Sequence, residues 1–448
     1  MIQALQLLLS LSLLVTLHEL GHYLAAKAFG CRVEKFYLFI DWKFSLFKKQ
    51  IGETEYGIGW LPLGGYVKIA GIIDESLDTD GLEKDPEPWE LRGKPAWQRL
   101  IVFLGGVTVN FILAFFIYSL SLLYWGETYL PNDKLENGIV VNTAGLELGL
   151  QDGDKLVSID GTPIIEFDIA GIMNSVLFQG ANEIIVNRNG EATSLIITKE
   201  QINTIIKNLQ EYNKEGLIMA PANSWTITGF ASDSSLAEGV GLLVGDQIAS
   251  INGVETPFNS PSSRSLLKSL AGKKIELGIN RMGVDTFFSF SLGEKAEVML
   301  GVVGLPTFDR SDLQIKDYSL LSCIPAGWKK TTNMVDSYLG QLKVIFNPKS
   351  HGYKHVGGVI SIGKMFPETW NWAIFWNMTA ILSIILAIMN LLPIPALDGG
   401  HALIAIGEMI TGKKLNIKVL EYLQVVGMIM LFTLLIYANG MDVWRLFN

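Results

Sequence analysis

The pattern of apolar and polar positions divides the chain into four long apolar runs separated by mixed, charged stretches. The runs cover about residues 2–26, 100–125, 369–397 and 422–441. Each reaches the ~20 residues that a helix needs to cross a bilayer. The first run has no basic leader and no small-residue cleavage site before Lys27, so we interpret it as a retained span; the alternative is a cleaved signal peptide. The pattern predicts a polytopic α-helical membrane protein with four transmembrane helices.

The long stretch between the second and third runs contains an internal repeat. Residues 149–164 (GLQDGDKLVSIDGTPI) and 241–256 (GLLVGDQIASINGVET) are identical at seven of sixteen positions. Each copy has a Gly-Asp turn, a strand of alternating character and a second tight turn. This pattern resembles bacterial PDZ domains, which accept an extended peptide as an added strand. We therefore predict two tandem β-rich PDZ-like domains, which either bind peptides or serve only as a spacer or steric gate.

The spans and the repeat together divide the chain into five segments. Residues 1–127 contain the first two spans, 128–215 and 216–304 the two PDZ-like domains, 305–368 an amphipathic membrane-surface segment, and 369–448 the last two spans. The fourth of these segments is either a linker lying on the membrane, which we prefer, or a gate around the site of substrate entry.

Composition agrees with a membrane protein and excludes other classes. Hydrophobic residues make up 49% of the chain and charged residues only 18%, whereas soluble domains have about 25% charged residues. The net charge of −9 argues against a nucleic acid partner, because phosphate binding needs clustered positive charge. The bilayer is therefore the first partner that the composition predicts.

Basic residues near the ends of the spans predict the orientation of the chain. They concentrate between the first and second spans and between the third and fourth. We therefore expect the loops 27–99 and 398–421 to be cytoplasmic. Both termini and residues 126–368 would then lie outside, which in a bacterium is the periplasmic side of the inner membrane.

The first apolar run contains the motif HELGH at residues 18–22. On a helix, His18 and His22 share one face and can bind one zinc ion, while Glu19 projects toward a metal-bound water. An ionisable residue inside a membrane span indicates function, because burying it in hydrocarbon is costly. The alternative is a polar clamp in which these side chains hydrogen-bond between helices.

A catalytic zinc site usually takes a third protein ligand, and Asp398 is the strongest candidate. It follows the third run in the sequence NLLPIPALDGGH (residues 390–401), where Pro393 and Pro395 break the helix. The first and third spans run in the same direction, so His22 and Asp398 should lie at the same depth near the cytoplasmic side. Asp398 could instead be an ordinary helix cap, and His401 is a competing ligand.

Together, these motifs and their order resemble the site-2 protease family over essentially the whole chain. The resemblance implies a zinc metalloendopeptidase with His18, His22 and Asp398 as zinc ligands and Glu19 as general base. It also implies that Asn390 contacts the substrate or helps to stabilise the oxyanion. The family has a further motif in the second span, matched here by residues 105–110, but Gly106 replaces a common proline. We therefore interpret that segment as packing rather than as part of the site.

The resemblance also implies the biological setting. Enzymes of this family cut transmembrane segments of single-span proteins after an upstream site-1-type protease has removed the outer domain. The substrates would be of the anti-sigma-factor type, in envelope stress signalling, or remnant signal peptides. Two other classes stay open: a non-catalytic membrane scaffold that collects peptides, and a zinc transporter or sensor.

A glycine- and aromatic-rich stretch at residues 56–68 is the candidate substrate-binding element. A helical substrate must unwind to expose its carbonyls, and its freed backbone groups then need new partners. We predict that this stretch forms a hairpin at the membrane interface and offers a strand edge. Its candidate substrate-binding residues are Gly57, Gly59, Gly64 and Gly65. The alternative is a hairpin with no substrate role.

Overall fold

A computed structural model describes residues 1–62, 64–72, 85–230, 239–293, 302–304 and 312–447. The remaining residues include Leu63 of the glycine-rich stretch and parts of the predicted segments 216–304 and 305–368, so those parts of the predictions lie outside the described residues. The chain forms two compact units: a membrane unit of Met1–Gly126, Asp317–Leu339 and Lys354–Asn448, and a β-rich unit of Glu127–Lys316 and Gly340–Tyr353.

The helices alternate between long apolar spans and short amphipathic pieces. In chain order they are α1 Ile2–Ala28, α2 Ala96–Phe103, α3 Gly105–Trp125, α4 Thr143–Glu147, α5 Ile169–Leu177, α6 Lys199–Lys207, α7 Leu209–Glu215, α8 Pro261–Ser269, α9 Cys323–Ile345, α10 Val359–Lys364, α11 Trp372–Leu391, α12 Asp398–Thr411 and α13 Ile417–Phe447.

The strands belong to one sheet in the membrane unit and several in the β-rich unit. In chain order they are β1 Val33–Leu38, β2 Ile40–Ile51, β3 Thr54–Leu61, β4 Tyr66–Ile69, β5 Glu127–Tyr129, β6 Ile139–Val141, β7 Lys155–Ile159, β8 Thr162–Pro163, β9 Glu183–Arg188, β10 Glu191–Ile196, β11 Met219–Pro221, β12 Ile227–Phe230, β13 Gln247–Ile251, β14 Val254–Glu255, β15 Lys274–Arg281, β16 Val284–Ser291, β17 Val302–Gly304 and β18 Gln314–Lys316.

Four helices of the described part of the chain are long and apolar enough to cross a membrane. They are Ile2–Ala28, Gly105–Trp125, Trp372–Leu391 and Lys418–Arg445, which confirms the four predicted spans. The second apolar run differs in one respect, because its helix is interrupted at Leu104 between α2 and α3. The third run ends its helix at Leu391, where Leu392 turns extended before Pro393, as a residue preceding proline does.

Close packing of α1 against α3 depends on two glycines. A Cβ added to Gly21 would collide with the backbone of Gly105, and a Cβ added to Gly105 would collide with that of Gly21. Helix α11 joins the same bundle, where the buried Ser383 hydroxyl donates to the backbone oxygen of Asn110 at 2.7 Å. Small residues and interhelical hydrogen bonds are the usual means of helix association in membranes. Helices α3 and α11 thereby pack against the buried face of α1.

A four-stranded sheet connects α1 to α2, with the strand order β2-β3-β1-β4. Strand β3 pairs with β2 on one side and runs parallel to β1 on the other. Strand β4 pairs with β1 only, so it forms one edge of the sheet. The prediction of a hairpin over residues 56–68 is therefore wrong: β3 and β4 do not pair with each other, because β1 lies between them.

The β-rich unit contains two modules with the same topology. The sheet of the first has the order β10-β9-β7-β8, and that of the second has the matching order β16-β15-β13-β14. Each module has its own apolar core, one around Ile184 and Val186 and the other around Leu277 and Ile279. The structure thus bears out two β-rich modules, and their identification as PDZ domains stays a prediction.

An arginine and an aspartate brace each module in the same way. In the first, Nε and Nη2 of Arg188 donate to the two carboxylate oxygens of Asp154, each at 2.8 Å. In the second, Arg281 binds Asp246 in the same bidentate geometry at 2.7 Å. Both aspartates belong to the repeated Gly-Asp turn, and both are buried. The arginine at the end of β9 or β15 therefore holds the Gly-Asp turn of its module in place.

The entry and exit of the β-rich unit lie side by side. Strands β5 and β18 form an antiparallel pair in which Glu127 faces Lys316 and Tyr129 faces Gln314. The chain leaves after Tyr129 and returns at Gln314, its pairing partner, so the roughly 180 residues between them form an insertion.

Candidate metal centre

Three side chains from distant parts of the sequence meet at one point of the membrane unit. His18 Nε2 lies 3.2 Å from Oδ2 of Asp398, and His22 Nε2 lies 3.3 Å from the same oxygen. The two histidine Nε2 atoms are 3.2 Å apart. Among the described residues, this is the one group of at least three histidine, cysteine or acidic side chains placed to hold a metal ion. The structure therefore brings together the three residues predicted as ligands.

The spacing of these atoms fits a tetrahedral zinc ion. Zinc bound to nitrogen and oxygen at 2.0–2.1 Å places neighbouring ligand atoms about 3.3 Å apart, which matches all three separations. Oδ2 of Asp398 is also buried without a hydrogen-bond partner, a condition that is costly unless a cation is bound. The donor set of two imidazoles and one carboxylate is one that catalytic zinc sites use.

The two candidate histidine ligands are brought together by the helical period of α1. Residues four apart lie on one face of a helix, and His18 and His22 are both buried on the face that packs into the bundle. Nδ1 of His22 lies 2.8 Å from the backbone oxygen of Val102. In a continuous helix that oxygen would accept from residue 106, but the helix is interrupted at Leu104. A carbonyl partner for Nδ1 leaves Nε2 free to bind metal.

Helix α3 contacts the histidines directly. A Cβ added to Gly106 would collide with the rings of both His18 and His22, and Asn110 Nδ2 lies 3.1 Å from Nδ1 of His18. From sequence, residues 105–110 are interpreted as packing rather than as part of the site. The structure corrects this interpretation, because the glycine provides the room for the imidazoles and the asparagine touches one of them. Asn390 also approaches, with Nδ2 3.3 Å from His18 Nε2.

The third candidate ligand, Asp398, is the first residue of α12, after the break that the two prolines introduce. Ala396 adopts a positive φ of 87° in this break, a conformation rare for residues other than glycine. The next turn packs tightly, because a Cβ at Gly399 would collide with the Leu391 carbonyl and one at Gly400 with the Ile394 carbonyl. The paired glycines therefore let α12 fold back against the end of α11, which brings Asp398 to the histidines.

The edge strand β4 begins beside the candidate general base. A Cβ added to Gly65 would lie 3.7 Å from Cγ of Glu19 and would collide with the Tyr37 carbonyl. Gly64 precedes it with a φ of 148°. Gly57 and Gly59 differ, because they lie in the interior strand β3, where added Cβ atoms would meet the Tyr37 ring and the Ile40 backbone. Of the four glycines, only Gly65 lies beside Glu19.

The competing ligand His401 lies outside the group of three. Its ring stacks on Phe103 of α2 with the centroids 5.1 Å apart and the planes inclined by 23°. It also lines a cavity of about 100 Å³ with Arg99, Glu408 and Gln424. The structure thus gives His401 a packing contact one turn along α12 from Asp398.

Sequence reasoning missed the partners that orient the ligands. The Val102 carbonyl is a backbone group, and no residue type marks it in the sequence. Asn110 had a detectable signal, because a buried amide in an apolar span needs an explanation. Arg99 and Glu408 also pair where α2 meets α12, and only the fold shows that they are neighbours.

Two histidines that flank a glutamate on an apolar helix, with an aspartate from a distant part of the chain beside them, indicate a membrane-embedded metallopeptidase. Comparison with known proteins gives the particular family. The model for peptidase family M50 matches residues 6–434. The chain belongs to this family, the site-2 proteases.

Curated relatives align with the chain over nearly its full length. A protein of Neisseria meningitidis named "Putative zinc metalloprotease NMA0084" is 26% identical and covers 97% of each chain. One of Campylobacter jejuni with the same description is 27% identical over 99% of this chain and 94% of its own length. One of Vibrio cholerae is 26% identical over 98% of both. The metal of the family is therefore zinc.

Proposed function

We propose that the protein is an intramembrane zinc metalloendopeptidase that cleaves transmembrane segments of single-span membrane proteins. The observation that carries the proposal is the convergence of His18, His22 and Asp398 within 3.3 Å. Two of these residues lie on α1, a helix long and apolar enough to span a bilayer. A site at that depth acts on peptide bonds inside the membrane.

The residues divide into ligands, a base and a substrate contact. His18, His22 and Asp398 would hold the zinc ion, which would supply a Lewis acid for the scissile carbonyl and for the attacking water. Glu19 takes a proton from the attacking water and returns it to the amine that leaves. Asn390 lies 3.3 Å from His18, which supports a contact between its amide and the substrate carbonyl.

The unwound substrate needs hydrogen-bond partners, and β4 is the element best placed to supply them. It is an edge strand, so its outer backbone groups are available for an added strand. It follows directly after Gly65, which lies next to Glu19, and a substrate strand paired there would run past the base. The edge strand β4 thus takes the role that the sequence suggested for a hairpin edge. Gly57 and Gly59 allow close packing around β3 instead of contacting the substrate.

The wider setting follows from the family. We propose that the enzyme lies in the inner membrane of a bacterium, with the β-rich modules and both termini in the periplasm. Its substrates are anti-sigma-factor-type proteins or remnant signal peptides, trimmed first by a site-1-type protease, and cleavage serves envelope stress signalling. The modules, as PDZ-like domains, would limit access by substrates with bulky outer domains.

The decisive experiment combines metal content with cleavage of a single-span substrate by the purified protein. Glu19→Gln should abolish cleavage and keep zinc, because it removes the base and leaves the ligands. His18→Ala or His22→Ala should lose both, and Asp398→Asn should weaken both. The matched control is Glu53→Gln, at an exposed turn, which should behave as the unmodified protein.

Each alternative makes a different prediction for the same preparation. A scaffold would bind peptides without cleaving any substrate, and a transporter would move zinc across vesicles without peptidase activity. Normal turnover by the Glu19→Gln protein would overturn the mechanism.

A further inference from the structure

The amide of Asn110 is buried in α3 beside one of the zinc ligands. The residue has no exposed surface, and its Nδ2 lies 3.1 Å from Nδ1 of His18. Its Oδ1 is buried and has no hydrogen-bond partner among the described residues. A buried amide oxygen without a partner costs free energy, so its position beside the metal centre requires an explanation.

The chemistry of a zinc-bound histidine explains why an amide oxygen would lie there. Nε2 of His18 faces the other two ligand atoms, and a neutral imidazole that binds metal through Nε2 carries its proton on Nδ1. The neighbour of Nδ1 must then be an acceptor. The oxygen and nitrogen of an asparagine amide exchange places by a half-turn about the last side-chain bond, and the hydrogen-bond network decides which orientation is present.

We propose that Asn110 is a positioning residue that accepts the Nδ1–H of His18 through Oδ1 and thereby presents Nε2 to zinc. The proposal rests on the ligand set of the proposed function. It gives His18 the kind of partner that His22 has in the Val102 carbonyl, 2.8 Å from its own Nδ1. Both ligands are then held in the metal-binding tautomer from the side away from the metal.

The backbone around Asn110 is built to hold the amide at this place. The hydroxyl of Ser383, on α11, donates to the Asn110 backbone oxygen at 2.7 Å. One helical turn earlier, Gly106 lets the His18 ring approach α3, because any Cβ there would collide with it. The backbone position of Asn110 and the packing of the His18 ring against α3 are therefore both fixed, which determines the distance that the asparagine side chain spans.

The test uses two variants that differ in their capacity to accept a hydrogen bond. Asn110→Leu keeps the size and removes the acceptor, and we expect its zinc dissociation constant to rise about 10- to 100-fold, the usual effect of losing such a partner. Asn110→Asp keeps an acceptor on Nδ1–H and should stay within about threefold of the unmodified protein. Zinc affinity is measured by competition with a chelator on the detergent-solubilised full chain.

Ser119→Ala is the matched control, because Ser119 is another buried polar residue of α3 and is remote from the ligands. It should leave zinc affinity unchanged. Helicity and thermal unfolding of all variants are compared after zinc removal, so that loss of the fold is separated from loss of the metal. Unchanged affinity in the Asn110→Leu protein, or an equal loss in the Leu and Asp variants, would overturn the proposal.

A second measurement needs no variant. The chain has only five histidines, and ¹⁵N shifts of labelled imidazoles distinguish the two tautomers. Zinc-loaded protein should show His18 with a protonated, hydrogen-bonded Nδ1; a proton on Nε2 would contradict the proposal. If the His18→Ala protein keeps full zinc affinity, the ligand set of the proposed function fails instead, so the two failures are distinguishable.

Discussion

Arg99 of α2 forms an ion pair with Glu408 of α12, and both side chains are largely buried, with 12% and 6% of their surfaces exposed. Helix α2 also contains Val102, whose carbonyl faces His22. Helix α12 begins with Asp398, the third candidate ligand. The pair therefore joins the helix that orients one ligand to the helix that supplies another.

Removing one partner of this pair should be more harmful than exchanging the two. Arg99→Ala or Glu408→Ala leaves a buried charge without its partner, which costs about 3–5 kcal/mol. The exchanged double variant, Arg99→Glu with Glu408→Arg, should recover part of that loss. Thermal unfolding of the full chain measures the stability, and chelator competition measures zinc affinity. Equal stability of the single and double variants would show that the charges do not interact.

A methyl group at Gly106 should destroy the metal centre. Because a Cβ there would collide with both His18 and His22, we expect Gly106→Ala to lose zinc and cleavage together. The matched control is Gly407→Ala on α12, where an added Cβ meets nothing within 4 Å. That change should stabilise the helix by up to about 1 kcal/mol. Zinc retained by the Gly106→Ala protein would mean that α3 can move away from α1.

The second β-rich module should lose stability in acid. Burial alone would raise the pKa of Asp246. Hydrogen bonds from Arg281 and the Leu243 N–H, together with the arginine charge, lower it by more, so the pKa lies below its usual value. The folded state then binds fewer protons than the unfolded chain, whose aspartate has a pKa of about 3.9. The stabilisation is complete above that value and is lost as pH falls through the folded pKa.

Hydrogen exchange of β13 and β15 as a function of pH measures this effect. Protection should fall below a pH of about 4 in the unmodified chain. The Asp246→Asn protein should show lower protection at pH 7 and a smaller further loss in acid. Glu255→Gln, on the exposed β14, should follow the unmodified profile. An identical acid profile in the Asn variant would exclude this pair as the cause.

The β-rich unit should be removable without loss of the metal centre. Deleting residues 130–313 and joining β5 to β18 by a two-residue turn keeps the Tyr129–Gln314 pairing. Zinc binding and intrinsic cleavage should survive, and substrates with large outer domains should now be cut. Model substrates with outer domains of increasing size test this. If the shortened enzyme discriminates by size as sharply as the full chain, the modules are not the gate.

The sequence predicted the spans and the convergence of His18, His22 and Asp398 because their signals are local or strongly constrained. Few structures are compatible with an apolar run of 20 residues, with two histidines four positions apart on a helix, or with a helix broken by proline. The strand order of the four-stranded sheet in the membrane unit was not predicted. The parallel pairing of β1 with β3 produces the same alternating sequence pattern as a hairpin would. The Arg188 and Arg281 braces were also missed, since they lie outside the sixteen repeated positions.

The interruption at Leu104 has a consequence for the bilayer. His22 is oriented by Val102 on one side of that interruption, and His18 contacts Asn110 on the other. The angle between α2 and α3 therefore affects the relative placement of two candidate zinc ligands. Helices adapt to bilayers of unequal thickness by tilting or kinking, and a break in the helix is the easiest place to bend. The length of the lipid chains should therefore affect the metal centre. We expect zinc affinity measured in vesicles to be highest at one bilayer thickness and lower in thinner or thicker bilayers.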